Sequence, residues 1–223
     1  MSQTITTAVG VQARLDGLQE ERNRTWPVEQ RETQKALREL LEATVDRDRL
    51  VKPGDRVPDF RLPEVDGGSV ALAELLAVGP VVLIFFRFEA CGACNAALPG
   101  YQEALAPALR DLGAQLVAIS PQVPEKLAEI KHRYDLDFLV ASDTDATLIE
   151  ALGIGFAPDD DARARTLAAG NDLGAILGTG SWTLPYPTAI VIDRDGVVRF
   201  ADVHPDWMVR TEADAIIEAV QAL

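Results

Sequence analysis

The chain has 223 residues, 48% of them hydrophobic, and a formal net charge of −14 at pH 7. That is apolar material enough for a substantial core in one domain with additions, and the acidic balance argues against nucleic acid or an anionic membrane as partner, since both would repel it. The longest apolar run, Val81 to Phe86, falls far short of the roughly 20 residues that span a bilayer. The N-terminal MSQTITTAVGVQ has neither a basic start nor a continuous apolar stretch, so a cytoplasmic protein without a secretory signal is expected.

Residues 1–50 read as a helical arm. Val11, Leu15 and Leu18 keep helical spacing up to a break at Trp26-Pro27, where Pro27 suits a first helical position. A second helix follows, polar from Glu29 to Lys35 and then carrying one apolar stripe of Leu37, Leu40, Leu41 and Val45. That stripe needs a partner, either the main domain or a second copy of the chain in a homodimer. Lys52-Pro53-Gly54-Asp55 is a turn cluster that opens the main domain, residues 51–223. An extended stretch to Leu62, an Asp66-Gly67-Gly68 turn and a short helix from Ala71 to Leu76 lead to Gly79-Pro80.

Val81 to Phe86 does not alternate and reads as a central strand buried on both faces. After it, Ala97, Tyr101, Leu105, Ala108 and Leu112 keep helical period, with Pro99 and Pro107 expected to kink or split the helix. Leu116 to Ile119 is the next strand, giving a parallel βαβ unit. A helix over Val123 to Tyr134, a strand at Phe138 to Val140 and a short helix near Leu148 follow. Residues 153–184, with six glycines and the run Asp159-Asp160-Asp161, break the rhythm and read as a mobile insert or lid. Ala189 to Ile192 and Val197 to Ala201 form a hairpin about Asp195-Gly196. Thr211 and Asp214 suggest a capping box for a last helix that buries Ile216, Ala219, Val220 and Leu223. The alternation of strands and helices makes the chain α/β.

The chemistry centres on the only two cysteines, Cys91 and Cys94. Strand, break and CxxC place Cys91 at the mouth of a helix and Cys94 one turn inside it. The unpaired N–H groups and the positive end of the helix dipole there favour a thiolate, the reactive form. Cys94, on the same face, can attack a mixed disulfide or sulfenic acid formed at Cys91. Arg87, at the strand end, can favour that thiolate and polarise a substrate oxygen or sulfur, with Glu89 opposing it. A zinc site wants four ligands; beside the cysteines the chain offers only His132 and His204, neither in a ligand spacing, so no metal and no cofactor are expected. A buried, inert cysteine pair is the plainer alternative.

The blocks Pro53 to Phe60, Val81 to Cys94, Leu116 to Pro121 and Ser181 to Gly196 resemble, in collinear order, the AhpC/TSA (peroxiredoxin-like) family of the thioredoxin fold. The resemblance implies a mixed sheet flanked by helices, with Cys91 attacking a hydroperoxide or disulfide and Cys94 resolving it. An external thiol donor, a thioredoxin-like protein or a low-molecular-weight thiol, then restores the pair. It further implies that Pro187 is a cis proline facing the thiol, and that Trp182 and Thr188 contribute to the substrate pocket. Three positions differ from typical peroxiredoxins: Ile84 and Phe88 stand where a proline and a threonine or serine would, and Pro187 stands where an arginine would. The expected activity is that of a thiol-dependent antioxidant oxidoreductase, with protein disulfide reduction and non-enzymatic redox sensing as the alternatives.

Overall fold

A computed structural model describes residues 9–223; the first eight, which hold most of the stretch behind the signal-segment expectation and the start of the expected arm, lie outside the described residues. The arm forms helices α1 (Val11–Thr25) and α2 (Val28–Thr44), and Pro27 is the residue just before α2 rather than its first helical one. Val11 and Leu15 of α1 are fully buried and Leu18 packs beside them. The first N–H groups of α1 are satisfied from across the chain. The Glu212 carboxylate accepts from Val11 N and Gln12 N, both at 2.9 Å, and so caps the helix from 200 residues away. In α2 the apolar stripe divides: Leu41 is buried and Val45 packs on the core, whereas Leu37 and Leu40 are exposed.

The hairpin β1 (Arg61–Pro63) and β2 (Ser69–Ala71) is followed by α3 (Leu72–Val78) and β3 (Val81–Phe85). Helix α4 (Gly92–Gly100) then runs through a π-helical turn, Tyr101–Leu105, into α5 (Ala106–Asp111). The expected split between Pro99 and Pro107 takes this form because a proline lacks the N–H that would close the regular ladder, and i→i+5 bonding absorbs the mismatch. Next come β4 (Gln115–Ser120), α6 (Pro124–Arg133), β5 (Leu139–Ser142) and α7 (Thr147–Ala151).

The segment read as a mobile insert or lid contains regular structure. Strand β6 (Gly155–Phe156) pairs antiparallel with β7 (Leu184–Pro185), and between them lie α8 (Asp160–Ala168) and α9 (Leu173–Leu177). Helix α8 buries nothing, while Leu177 of α9 is fully buried. Strands β8 (Thr188–Ile192) and β9 (Val198–Val203) and helix α10 (Ala213–Gln221) complete the chain. Ile216 and Val220 of α10 are buried, but Leu223, beyond its end, is exposed. The capping box is also not formed. Glu212 occupies the N-cap position, and the Thr211 hydroxyl donates instead to Asp202 Oδ2 at 2.9 Å.

The five-stranded sheet has the order β5-β4-β3-β8-β9, with β3, β4 and β5 parallel and β8 and β9 antiparallel to their neighbours. All five residues of β3 and all five of β8 are buried. Their side chains alternate between two cores. Val82, Ile84, Ala118, Val140, Ala189 and Val191 join α1, α4 and α10 on one face, while Val81, Leu83, Phe85, Val117, Ile119 and Ile190 join α3, α7 and the β1–β2 hairpin on the other. This is the mixed α/β architecture of the thioredoxin fold. The thiols lie on the first face.

Candidate active site

The chain leaves β3 at Phe85, and Phe86 N still donates to Ile119 O at 3.0 Å, so the ladder runs one residue past the strand. The loop that follows is held from three sides. Ser120 Oγ donates to Arg87 O at 2.9 Å, Glu89 N donates to Gln122 Oε1 at 2.8 Å, and Asn95 Nδ2 donates to Glu89 O at 2.6 Å and to Cys91 O at 2.9 Å. Cys91 thereby sits as the N-cap residue of α4, with extended backbone, and Cys94 lies in the first turn. Both are unpaired as a disulfide. Both cysteines are buried, Cys91 retaining 6% exposure and Cys94 none.

The two thiols are driven apart electrically. The hydrogen bond from the Cys94 thiol draws Cys91 well below the ordinary thiol range; burial opposes this, and the charges of Arg87 and Arg210 add to it. Burial pushes Cys94 up, and the thiolate character of its neighbour pushes it further, so it stays protonated and serves as the donor. Arg87 has no carboxylate partner among the described residues. Its guanidinium lies 4.6 Å from the Trp207 ring centroid and 5.3 Å from that of Phe88, and its Nε is buried without a hydrogen bond. Glu89 does not oppose it: the carboxylate is turned to Arg133 and only 14% exposed.

Arg210 carries no signal in the sequence. It stands in an irregular stretch between β9 and α10, with no periodicity to mark it, yet it is buried. Its Nη1 donates to Trp207 O at 2.6 Å and Val209 O at 2.8 Å, and its Nη2 approaches Cys94 Sγ at 3.9 Å. A guanidinium therefore reaches the thiols from the segment after β9, although position 187, just before β8, holds a proline. Arg22 of α1 could have been found, since it continues the spacing of Val11, Leu15 and Leu18 and so falls on the buried face. Its Nη2 lies 2.7 Å from where a side chain on Gly92 would begin, which leaves that position to glycine.

The remaining expected residues divide. Thr188 pairs with Phe85 at the end of the β3–β8 ladder and is buried, but its hydroxyl is spent on Tyr186 O at 2.8 Å. Pro187 is not cis: among the described residues every peptide is trans. Tyr186 N donates to Ile154 O at 2.8 Å and His204 N to Pro187 O at 2.9 Å on either side of this peptide, which takes the intrinsically favoured trans form. Trp182, itself part of the insert, is buried with Arg163 5.1 Å from its ring, and it is not in the apolar cluster that holds the thiols. His132 is 67% exposed and contacts Asp66, and His204 binds Asp202 Oδ2 at 3.0 Å; neither joins the cysteines.

A mixed five-stranded sheet with a cysteine pair at the mouth of the helix after its central strand defines a thioredoxin-fold chain with a CxxC site. The sequence profile of the AhpC/TSA family matches residues 53–201, and the chain belongs to that family. It is 33% identical over 101 residues to Rv2521 of Mycobacterium tuberculosis, a protein provisionally named as a peroxiredoxin, covering 45% of this chain and 63% of that one. It is 31% identical over 105 residues to peroxiredoxin Bcp of Escherichia coli K12, covering 47% and 65%. The chain thus spans just under two thirds of the length of these curated relatives. The crystal structure of peroxidoxin BcpB from Mycobacterium tuberculosis is similar over 78% of this chain and 98% of that chain, with a TM-score of 0.60 and 25% identity.

Proposed function

We propose that the chain is a peroxiredoxin-like thiol peroxidase, active in the cytoplasm, with Cys91 as attacking and Cys94 as resolving thiol. The observation that carries this is the polarised pair at the mouth of α4, in which the Cys94 thiol and the charges of Arg87 and Arg210 favour the thiolate at Cys91 while burial keeps Cys94 protonated. The likeness to proteins named peroxiredoxin supports the choice of peroxide as oxidant.

In the reaction the Cys91 thiolate attacks the terminal oxygen of a hydroperoxide. The O–O bond breaks, the alkoxide leaves and takes up a proton as alcohol, and Cys91 becomes a sulfenic acid. Cys94 then attacks the Cys91 sulfur, and the sulfenic oxygen departs as water, leaving a 91–94 disulfide. An external dithiol or two monothiols reduce it by exchange. Arg87 and Arg210 stabilise the thiolate and the charge that develops on the oxygens. Pro187, Trp182 and Thr188 remain proposed pocket residues, with Thr188 acting through its place at the start of β8, opposite Phe85 at the end of β3.

Within this reading residues 51–223 are the catalytic unit, 1–50 an arm and 153–184 an insert over one end of the sheet. Leu37 and Leu40, left exposed on α2, support pairing of two chains through the arm. Hydrogen peroxide and an organic hydroperoxide should be consumed with dithiothreitol as donor, and Cys91→Ser should abolish this. Insulin reduction without peroxide turnover would replace the peroxidase by a disulfide reductase.

A further inference from the structure

The face of α1 that carries Val11, Leu15 and Leu18 continues to Arg22, at spacings of four, three and four. Val11 and Leu15 end in the apolar core and Leu18 packs on it, but the next turn meets the mouth of α4. A Cβ at Gly92, the first residue of α4, would stand 2.7 Å from Arg22 Nη2 and 3.7 Å from Leu18 Cδ2. The guanidinium thus lies against the residue next to Cys91, where the unpaired N–H groups of α4 present the positive end of that helix.

The partners of Arg22 are weak for a half-buried cation. Among the described residues it has no carboxylate: its one side-chain hydrogen bond runs from Nη1 to the Met208 sulfur at 3.2 Å, a poor acceptor, and its Cζ stands 4.6 Å from the Trp26 ring centroid. Burial lowers its proton affinity, and Arg38 of α2 and Arg87 lower it further by repulsion. The largest charge acting on it is that of Cys91, which has the opposite sign; Glu21, its chain neighbour, adds less. Guanidiniums from three parts of the chain therefore surround one thiol, Arg87 after β3, Arg210 after β9 and Arg22 from the arm. Cys94, Arg87 and Arg210 act most strongly on Cys91, and Glu89 is taken up by Arg133.

We infer that Arg22 is a further positioning residue for the reaction, a counter-charge that the arm delivers to the Cys91 thiolate, so that ionisation of Cys91 and the seating of α1 on α4 support one another. The inference rests on Cys91 being the ionised thiol of the proposed peroxidase. It makes the arm a part of the site.

The rate of bromobimane labelling of Cys91 against pH, on the full reduced chain, tests this. Arg22→Met keeps a stem of similar size and removes the charge. Labelling should be at least about twofold slower than in the unaltered chain at pH 5 and should converge on it by pH 9, where the thiol is ionised in both. Arg22→Lys should restore the rate at pH 5. If Arg22 served packing alone, its loss would bare the thiol and speed labelling at every pH; that result, or failure of Arg22→Lys to restore the rate, overturns the inference. A midpoint near 8.5 in the unaltered chain removes the ionised Cys91 and both readings with it, whereas a low midpoint that Arg22→Met leaves unmoved overturns this inference alone. A second measurement needs no change at position 22. Cys91→Ser removes the thiolate, so by linkage the amides of residues 19–26 should exchange faster than in the unaltered reduced chain at pH 7. The difference should shrink at pH 4, where Cys91 is largely neutral. Equal exchange at pH 7 overturns the inference even if no Arg22 variant folds.

Discussion

Cys91 and Cys94 differ by three positions and by one proton. With Cys91 drawn down to about 5, its thiolate is present through neutral pH and is lost only as pH falls through that region, whereas an ordinary thiol would ionise near 8.5. Bromobimane labelling of Cys91 should accordingly keep most of its rate at pH 6. Because the largest stabilising influence is the Cys94 thiol, Cys94→Ala should move the labelling midpoint upward, and Arg210→Met should do so to a smaller extent. Arg210→Met also strips the buried Trp207 O of its donor, a loss of about 1–3 kcal/mol, to be seen in urea unfolding. The place of Cys91 at the mouth of α4 and of Arg87 beyond the strand end was legible because strand, break and CxxC fix a local geometry. Arg210 was not, since its relation to Cys94 spans 116 residues and arises only when the segment after β9 folds back. Pro187 misled for the converse reason: a proline before a strand is the same in sequence whether its peptide is cis or trans.

At the level of elements, the arm is fastened where α1 meets α4 and α10. Gly100 lets it approach, since a Cβ there would lie 3.1 Å from Val11 Cγ2, and Glu212 caps it. Leu15→Ala should cost about 2–5 kcal/mol by opening a cavity in a fully buried position. Glu212→Ala should cost about 0.5–2 kcal/mol, the range for a lost cap, and should raise hydrogen exchange selectively at the start of α1. In the insert, α8 buries no residue while α9 is tied down by Val123 N to Leu177 O at 3.0 Å and by the Lys126 and Gln122 side chains. Limited proteolysis should therefore cut first within 160–170 and leave α9 attached; first cleavage in the Lys126 region would contradict this. The spacing of Val11, Leu15 and Leu18 foretold a buried face for α1. It could not foretell the cap, because Glu212 is distant in sequence and the Thr211 and Asp214 pattern pointed to a local bond that Asp202 takes instead.

Across the whole molecule, the parallel β3–β4 pair followed from the unbroken apolar runs at 81–86 and 116–119, and the β8–β9 hairpin from the Asp195-Gly196 turn. The alternation of β3 and β8 between two cores then decides which face receives α4, and with it the thiols. What the sequence concealed is that the arm and the segment after β9 converge on that same face, so residues 22, 87 and 210 surround one pair of sulfurs. The direction of the chemistry there is the central claim, and the site of first oxidation tests it. Reduced Cys94→Ser and Cys91→Ser proteins are each given one equivalent of hydrogen peroxide with dimedone, and the adducts are located by mass spectrometry. The account predicts near-stoichiometric adduct at Cys91 in the first protein and essentially none in the second. A dominant adduct at Cys94 in Cys91→Ser, with Cys91 of the other variant unmodified, would reverse the two roles.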